Sequence, residues 1–194
     1  MSLNELLEVA KKLKEEGMPL FRVDDRCFKP SDVITPQGSC QAQMDKHQLR
    51  IEASLTRTRT DNKVERKHCV FLFDDIKNAL LFWSKKQGKA NVYKVEVKGK
   101  DFVHKGDMNY LDFLMEVARN TEDEQVLDSY TKKYWENGFG CISPCYELLV
   151  KETVVQEVLL DGNSEYARKL CEEIKKVKYV QCTNAYKVLV NKLY

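Results

Sequence analysis

At 194 residues, with 43% apolar and 32% charged side chains and only 8 Gly and 4 Pro, the chain has the make-up of one folded domain, which excludes a disordered or fibrous protein. Its 32 basic and 30 acidic residues leave a formal charge of +2, so no global field draws it to nucleic acid or to an anionic membrane. The start carries no basic segment ahead of an apolar run, and no stretch reaches the roughly 18 uninterrupted apolar residues of a bilayer span, so neither a signal peptide nor a membrane-embedded segment is expected.

Seven cysteines are scattered along the chain, an odd count with one close pair, Cys141 and Cys145. Disulfide frameworks belong to oxidising compartments and use even counts, so these read as mostly buried thiols of a cytoplasmic protein. No second Cys or His pair stands at zinc spacing, and no metal is expected.

Residues 3–16 place Leu3, Leu6, Leu7, Ala10 and Leu13 at helical spacing, with Ser2 and Glu5 as a capping box and Gly17 as a stop, which predicts an N-terminal helix over 1–17. Leu20, Phe21 and Val23 then form the apolar part of a short first strand, into which Arg22, Asp24, Asp25 and Arg26 crowd four ionisable groups. A rigid loop with Pro30, Pro36 and Gly38 follows, so the chain turns here and can make the rim of a pocket. Residues 39–66 carry both a strand-like alternation at Leu49, Ile51, Ala53 and Leu55 and helix-favouring flanks; helix is the preferred reading. Arg57, Arg59, Lys63, Arg66 and Lys67 make the densest basic run, either a phosphate-contacting patch or a solvated face broken by Asp61 and Glu65. No aromatic is interleaved for base stacking, which favours the solvated face and leaves nucleic acid out of the expected partners.

Cys69-Val-Phe-Leu-Phe73 is an apolar run of strand length, and Asp74 or Asp75 then caps a helix built on Ile76, Ala79, Leu80 and Trp83. In residues 92–97 Tyr93, Val95 and Val97 alternate with Val92, Lys94 and Glu96, a strand with one buried face. Residues 101–107 form a short strand or loop ending at Asp107, the N-cap candidate for a helix with Leu111, Leu114, Met115 and Ala118. Thr121-Glu-Asp-Glu124 reads as another capping box opening a helix with Leu127, Tyr130 and Tyr134 on one face. Tyr146 to Leu160 is the most β-rich stretch and reads as two strands meeting near Lys151-Glu152, and residues 161–194 form a helical end segment. Strands and helices neither alternate nor segregate, so the class is α+β, one domain over 1–194, with a split or mostly antiparallel sheet flanked by helices.

The chemistry is narrowed by what is missing: no Gly-rich phosphate loop, no Gly-x-Ser-x-Gly elbow, no His-Glu-x-x-His and no Cys-x-x-Cys. His47, His68 and His104 each stand alone in polar context and read as solvated. What remains is a set of strand-end charges: Arg22 with Asp24, Asp107, and Glu147 entering the late β stretch. A guanidinium suits phosphate or ribose oxygens, and a carboxylate can stabilise positive charge on a sugar carbon. A structural salt bridge at a sheet edge accounts for the same residues and, on residue types alone, carries more weight.

Phe21-Arg-Val-Asp-Asp-Arg26 followed by Lys29-Pro-Ser-Asp-Val-Ile-Thr-Pro-Gln-Gly38 resembles the opening of ADP-ribosyltransferases, both the arginine-first toxin type and the compact rifampin-modifying type. The strand and helix of Val70 to Leu81, the strand from Val92 to Val97, the Phe102 to Asn109 stretch and the Tyr146 to Val158 stretch follow in the order of the rifampin-modifying enzymes. Residues 18–160 are similar in layout to an uncharacterised bacterial family of that superfamily. The resemblance implies an NAD-binding cleft between the halves of a split sheet, with Arg22 holding the NAD ribose, Phe71 packing on nicotinamide, and Asp107, or alternatively Glu147, as the catalytic acid. Asp24 joins Arg22 in the implied cofactor-binding set. Phe71 stands where the His-type enzymes have Tyr, and the toxin-type Ser-Thr-Ser strand is not recognisable. The expectation is therefore an NAD-dependent ADP-ribosyltransferase with an unidentified acceptor, or a non-catalytic nucleotide-binding or interaction module on the same fold. Phosphate transfer on RNA is a third option within the fold, and it would put the basic run to work.

Overall fold

The computed structural model describes residues 19–37, 44–60, 63–97, 99–136 and 145–175. The helix expected over residues 3–16 and the tail after residue 175 lie outside them. Seven strands, β1 (Leu20–Asp24), β2 (Val33–Ile34), β3 (Val70–Phe73), β4 (Asn91–Glu96), β5 (Phe102–Asp107), β6 (Tyr146–Val150) and β7 (Thr153–Leu160), form one sheet in the order β2-β7-β4-β1-β3-β6-β5. Every pairing in it is antiparallel. The helices are α1 (Lys46–Thr58), α2 (Ile76–Lys85), α3 (Met108–Asn120) and α4 (Glu124–Trp135), and residues 165–175 form α5. The α+β class is as the sequence predicts, and no helix among the described residues is long and apolar enough to cross a membrane.

The sheet is nearly cut in two. β1 pairs with β4 over five positions but with β3 at the single pair Phe21–Phe73, so the halves β2-β7-β4-β1 and β3-β6-β5 meet at one seam. The chain itself demands a sharp bend there. β6 and β7 are separated in sequence by Lys151 and Glu152, yet three strands stand between them in the sheet. Four strand spacings in a flat sheet come to about 19 Å, whereas a two-residue connector spans at most about 11 Å. The halves therefore fold towards each other, and Val70, Leu72 and Val150 from one pack in a common cluster with Tyr93, Val95 and Val155 from the other.

Each half has its own helical cover. Phe21, Val23, Val92 and Leu160 pack against Ile76, Ala79, Leu80 and Trp83 of α2 and Ala167, Leu170 and Ile174 of α5. Cys69 and Leu149 pack against Ile51 and Leu55 of α1, Tyr110 and Leu114 of α3 and Leu127, Tyr134 and Trp135 of α4. Val92 and Tyr93 are both buried, so β4 lies between two apolar clusters and lacks the single buried face that its alternation predicts.

Local chemistry sets the helix starts. Asp75, not Asp74, caps α2 by accepting from Lys77 N–H, and Asp74 is left to pair with Lys105. Asp107 caps α3 as expected. α4 begins later than the Thr121–Glu124 pattern implies: Asp123 is the cap, and Thr121 Oγ1 accepts from the Asp123 N–H. Within the ambiguous region 39–66 the chain is helical over Lys46–Thr58, where Asp45 and Gln48 form a reciprocal capping box at the start; residues 39–43 and 61–62 lie outside the described residues. The Pro-rich loop also contributes the edge strand β2, which pairs with β7 through Val33–Val154 and Ile34–Thr153.

Candidate functional site

Where β1 and β3 diverge from their one shared pair, ladder hydrogen bonds stop and backbone groups fall open. Arg22 fills that gap. Its Nη1 donates to the Phe71 carbonyl at 2.9 Å, while Nε and Nη2 donate to Asp24 Oδ2 at 3.0 and 2.8 Å. Arg26 closes on the same carboxylate from the other side, with Nε on Oδ1 at 2.9 Å and Nη2 on Oδ2 at 2.9 Å, and its main-chain N–H adds a further bond. Burial alone would raise the Asp24 carboxyl, but the hydrogen bond from Arg26 and the charge of Arg22 outweigh it and hold the group at about 2. Two guanidinium groups around one carboxylate leave this three-residue cluster with a net positive charge, and Asp25 beside it pairs with Lys86.

A shallow cleft, open to solvent, lies beside this cluster, with Arg22, Met44, Glu52, Lys67, Cys69 and Phe71 among its walls. The Arg22 side chain is 17% exposed, and two of its five N–H groups have no partner among the described residues. Phe71 lines the same cleft, so the pair that the resemblance implies is brought together. Asp24 is 2% exposed and engaged by both arginines; it orients Arg22 and does not itself face the cleft. Burial pushes the Cys69 thiol up to about 11, which keeps it protonated at neutral pH and takes thiolate chemistry out of the cleft.

Neither candidate acid lines this cleft. Glu147 is 2% exposed on β6, where its Oε1 accepts from Arg66 Nη1 and, at 2.7 Å, from the Tyr134 hydroxyl. Arg66 itself is buried, donates to Tyr134 Oη at 2.6 Å and to Glu52 Oε1 at 3.2 Å, and holds its guanidinium carbon 4.9 Å from the Phe71 ring centroid. Asp107 Oδ1 accepts from the N–H groups of Asn109 and Cys145, each at 3.0 Å, and its Oδ2 is buried without a hydrogen-bond partner among the described residues. The structure thus places Arg22 and Phe71 in one site, Glu147 behind it in the packed layer, and Asp107 at a helix start.

Two sequence readings change. His104 is not solvated: it is 3% exposed, in ring contact with Tyr134 and Trp135, with Nε2 3.1 Å from the Tyr134 carbonyl and Nδ1 2.9 Å from Lys63 Nζ. Desolvation, with Lys63 adding to it, pushes its pKa down to about 4. The basic run is neither a free patch nor a plain solvated face. Arg57 pairs with Glu124 and Asp128, Arg59 and Lys67 with Glu65, Arg66 with Glu147, and Lys63 donates to the Trp135 carbonyl. Of the four described cysteines, Cys69 and Cys171 are buried, Cys145 is partly buried and Cys27 is exposed.

Glu52 is the cleft residue that local sequence patterns pass over, whereas Lys67 stands in the basic run. The cleft walls come from four separate segments, and the Arg66–Glu147 pair spans 81 positions, so no short motif announces them. The charge density of residues 22–26 and the basic run that ends at Lys67 are the local signals that point to the site. No protein-family model matches the sequence, and no curated protein matches it either.

Proposed function

We propose that this protein is a nucleotide-binding module that seats NAD or a related nucleotide in the seam cleft without cleaving it. The observation that carries the reading is the open seam itself, where an oriented arginine with two uncommitted N–H groups stands beside an aromatic ring. A phosphate would take the guanidinium N–H groups and a planar base the Phe71 ring. The resemblance to ADP-ribosyltransferases supports the same ligand class. Loss of the chemistry is supported by Glu147, the alternative acid, whose carboxylate is committed to Arg66 and Tyr134 away from the cleft. Transfer of ADP-ribose is the second reading, favoured by the unpartnered Oδ2 of Asp107.

Calorimetric titration with NAD, paired with an assay for free nicotinamide, tests both. Saturable binding that weakens at least about tenfold in Arg22→Ala, as expected for loss of charge-assisted bonds, with no nicotinamide released, is the expected result. A folded wild-type protein that does not bind NAD overturns the first reading. Nicotinamide release that Asp107→Asn abolishes replaces it with the second.

A further inference from the structure

The cleft walls carry both signs of charge. On the β1 side Arg22 is held by Asp24, which Arg26 shares, and on the α1 side Glu52 belongs to a group with Arg66 and Glu147, with Lys67, paired to Glu65, beside it. Glu52 is the part of that second group that reaches the cleft. It sits on α1 beside the buried Ile51, Ser54 and Leu55, with its side chain 18% exposed. Its Oε1 accepts from Arg66 Nε, and Arg66 is fixed in turn by Tyr134 and Glu147. The carboxylate is therefore held from behind, while its Oε2 has no bonded partner among the described residues. A fixed, acceptor-only group facing a ligand cavity selects for donors on the ligand.

Arg22 and Lys67 suit a phosphate and Phe71 suits a base, and the donors that lie between phosphate and base in a ribonucleotide are the 2′ and 3′ hydroxyls. We infer that Glu52 is the specificity-determining acceptor of the cleft: it takes hydrogen bonds from the ribose hydroxyls of the bound nucleotide and so selects ribonucleotides over their deoxy counterparts. This rests on the nucleotide reading of the cleft. A site built to bond a hydroxyl rejects the analogue that lacks it because the carboxylate is then desolvated without a partner.

The test is a cycle of affinities for AMP and 2′,3′-dideoxy-AMP in the wild type, Glu52→Gln and Arg22→Ala. The wild type is expected to prefer AMP by about tenfold or more, the size of hydrogen bonds to a charged acceptor. Glu52→Gln keeps an amide oxygen for Arg66 and is expected to bind dideoxy-AMP at least as well as the wild type does, with the preference reduced to within about threefold. Arg22→Ala is expected to weaken both nucleotides alike and leave the preference in place. If Glu52→Gln retains the preference, or the wild type shows none, the role of Glu52 falls while the cleft reading stands. Loss of dideoxy-AMP binding in Glu52→Gln makes Glu52 a general support and also overturns its selective role. If the wild type binds neither nucleotide, the cleft reading itself falls and this inference with it.

Discussion

Two arginine–carboxylate centres stand on either side of β3, built from the same residue types and put to opposite uses. In one, Arg66, Glu147 and Tyr134 bond one another in a sealed layer under α1 and α4. In the other, Arg22, Asp24 and Arg26 surround one carboxylate at the seam and leave guanidinium N–H groups towards a cleft. Burial makes the difference. A closed pair satisfies its groups within the protein and serves the fold, whereas a partly open cluster holds an arginine in place with bonding capacity to spare.

The largest expected effect breaks the closed centre. Glu147→Ala removes the closer of the two carboxylates that pair with the buried Arg66 and leaves it only Glu52, and chemical denaturation should show a loss of about 3–5 kcal/mol. An unaltered stability would mean that Glu147 is not a structural partner.

The second effect separates the centres by pH. His104, beside the closed centre, takes up a proton at about 4 in the folded protein against an ordinary 6.5, so the unfolded chain protonates first. Stability is complete above 6.5 and is lost as pH falls towards 4, by up to about 3 kcal/mol. Asp24 at the open centre moves from 3.8 to about 2, so its contribution is present above 3.8 and lost as pH falls from there to 2. A denaturation series across pH should show both windows, and His104→Gln should flatten only the upper one.

Gly106 supplies the third. It lies on β5 against Tyr134, whose ring atoms and hydroxyl an added Cβ would overlap. Gly106→Ala must displace the tyrosine that bonds both Arg66 and Glu147, at a cost of about 1–3 kcal/mol; a neutral substitution would show that the closed centre tolerates movement. The smallest effect is expected at Arg57, 45% exposed and paired with Glu124 and Asp128, where Arg57→Ala should cost no more than about 1 kcal/mol by thermal denaturation. A larger loss would mark the basic run as structural beyond its ion pairs.

The two centres also show what the sequence makes legible. Strand β3, the cap Asp107, and the β6 and β7 stretch follow from local patterns, because alternation, apolar runs and capping are decided within a few residues, whereas the choice between Asp74 and Asp75 is not. The density of charge at residues 22–26 likewise marks the open centre. The closed centre left no such trace. His104 has Lys105 beside it and reads as polar, yet strand geometry turns it inward onto Tyr134 and Trp135, which arrive from another helix. Arg66 looked like one member of a basic run until the fold brought Glu147 to it across 81 positions. The bend at Phe21–Phe73 is hidden for the same reason: it arises from which strands pair, not from the residues of either strand alone.

The central claim is that the ligand seat lies at the open centre and not at the closed one. Backbone amide chemical-shift mapping during titration with NAD tests it most directly. Saturable shifts are expected to concentrate at residues 22–24, 37, 52 and 67–71, with residues 104–107 and 146–147 unmoved. Shifts centred on Asp107 and Glu147, or no saturable shift anywhere in the folded protein, would contradict it.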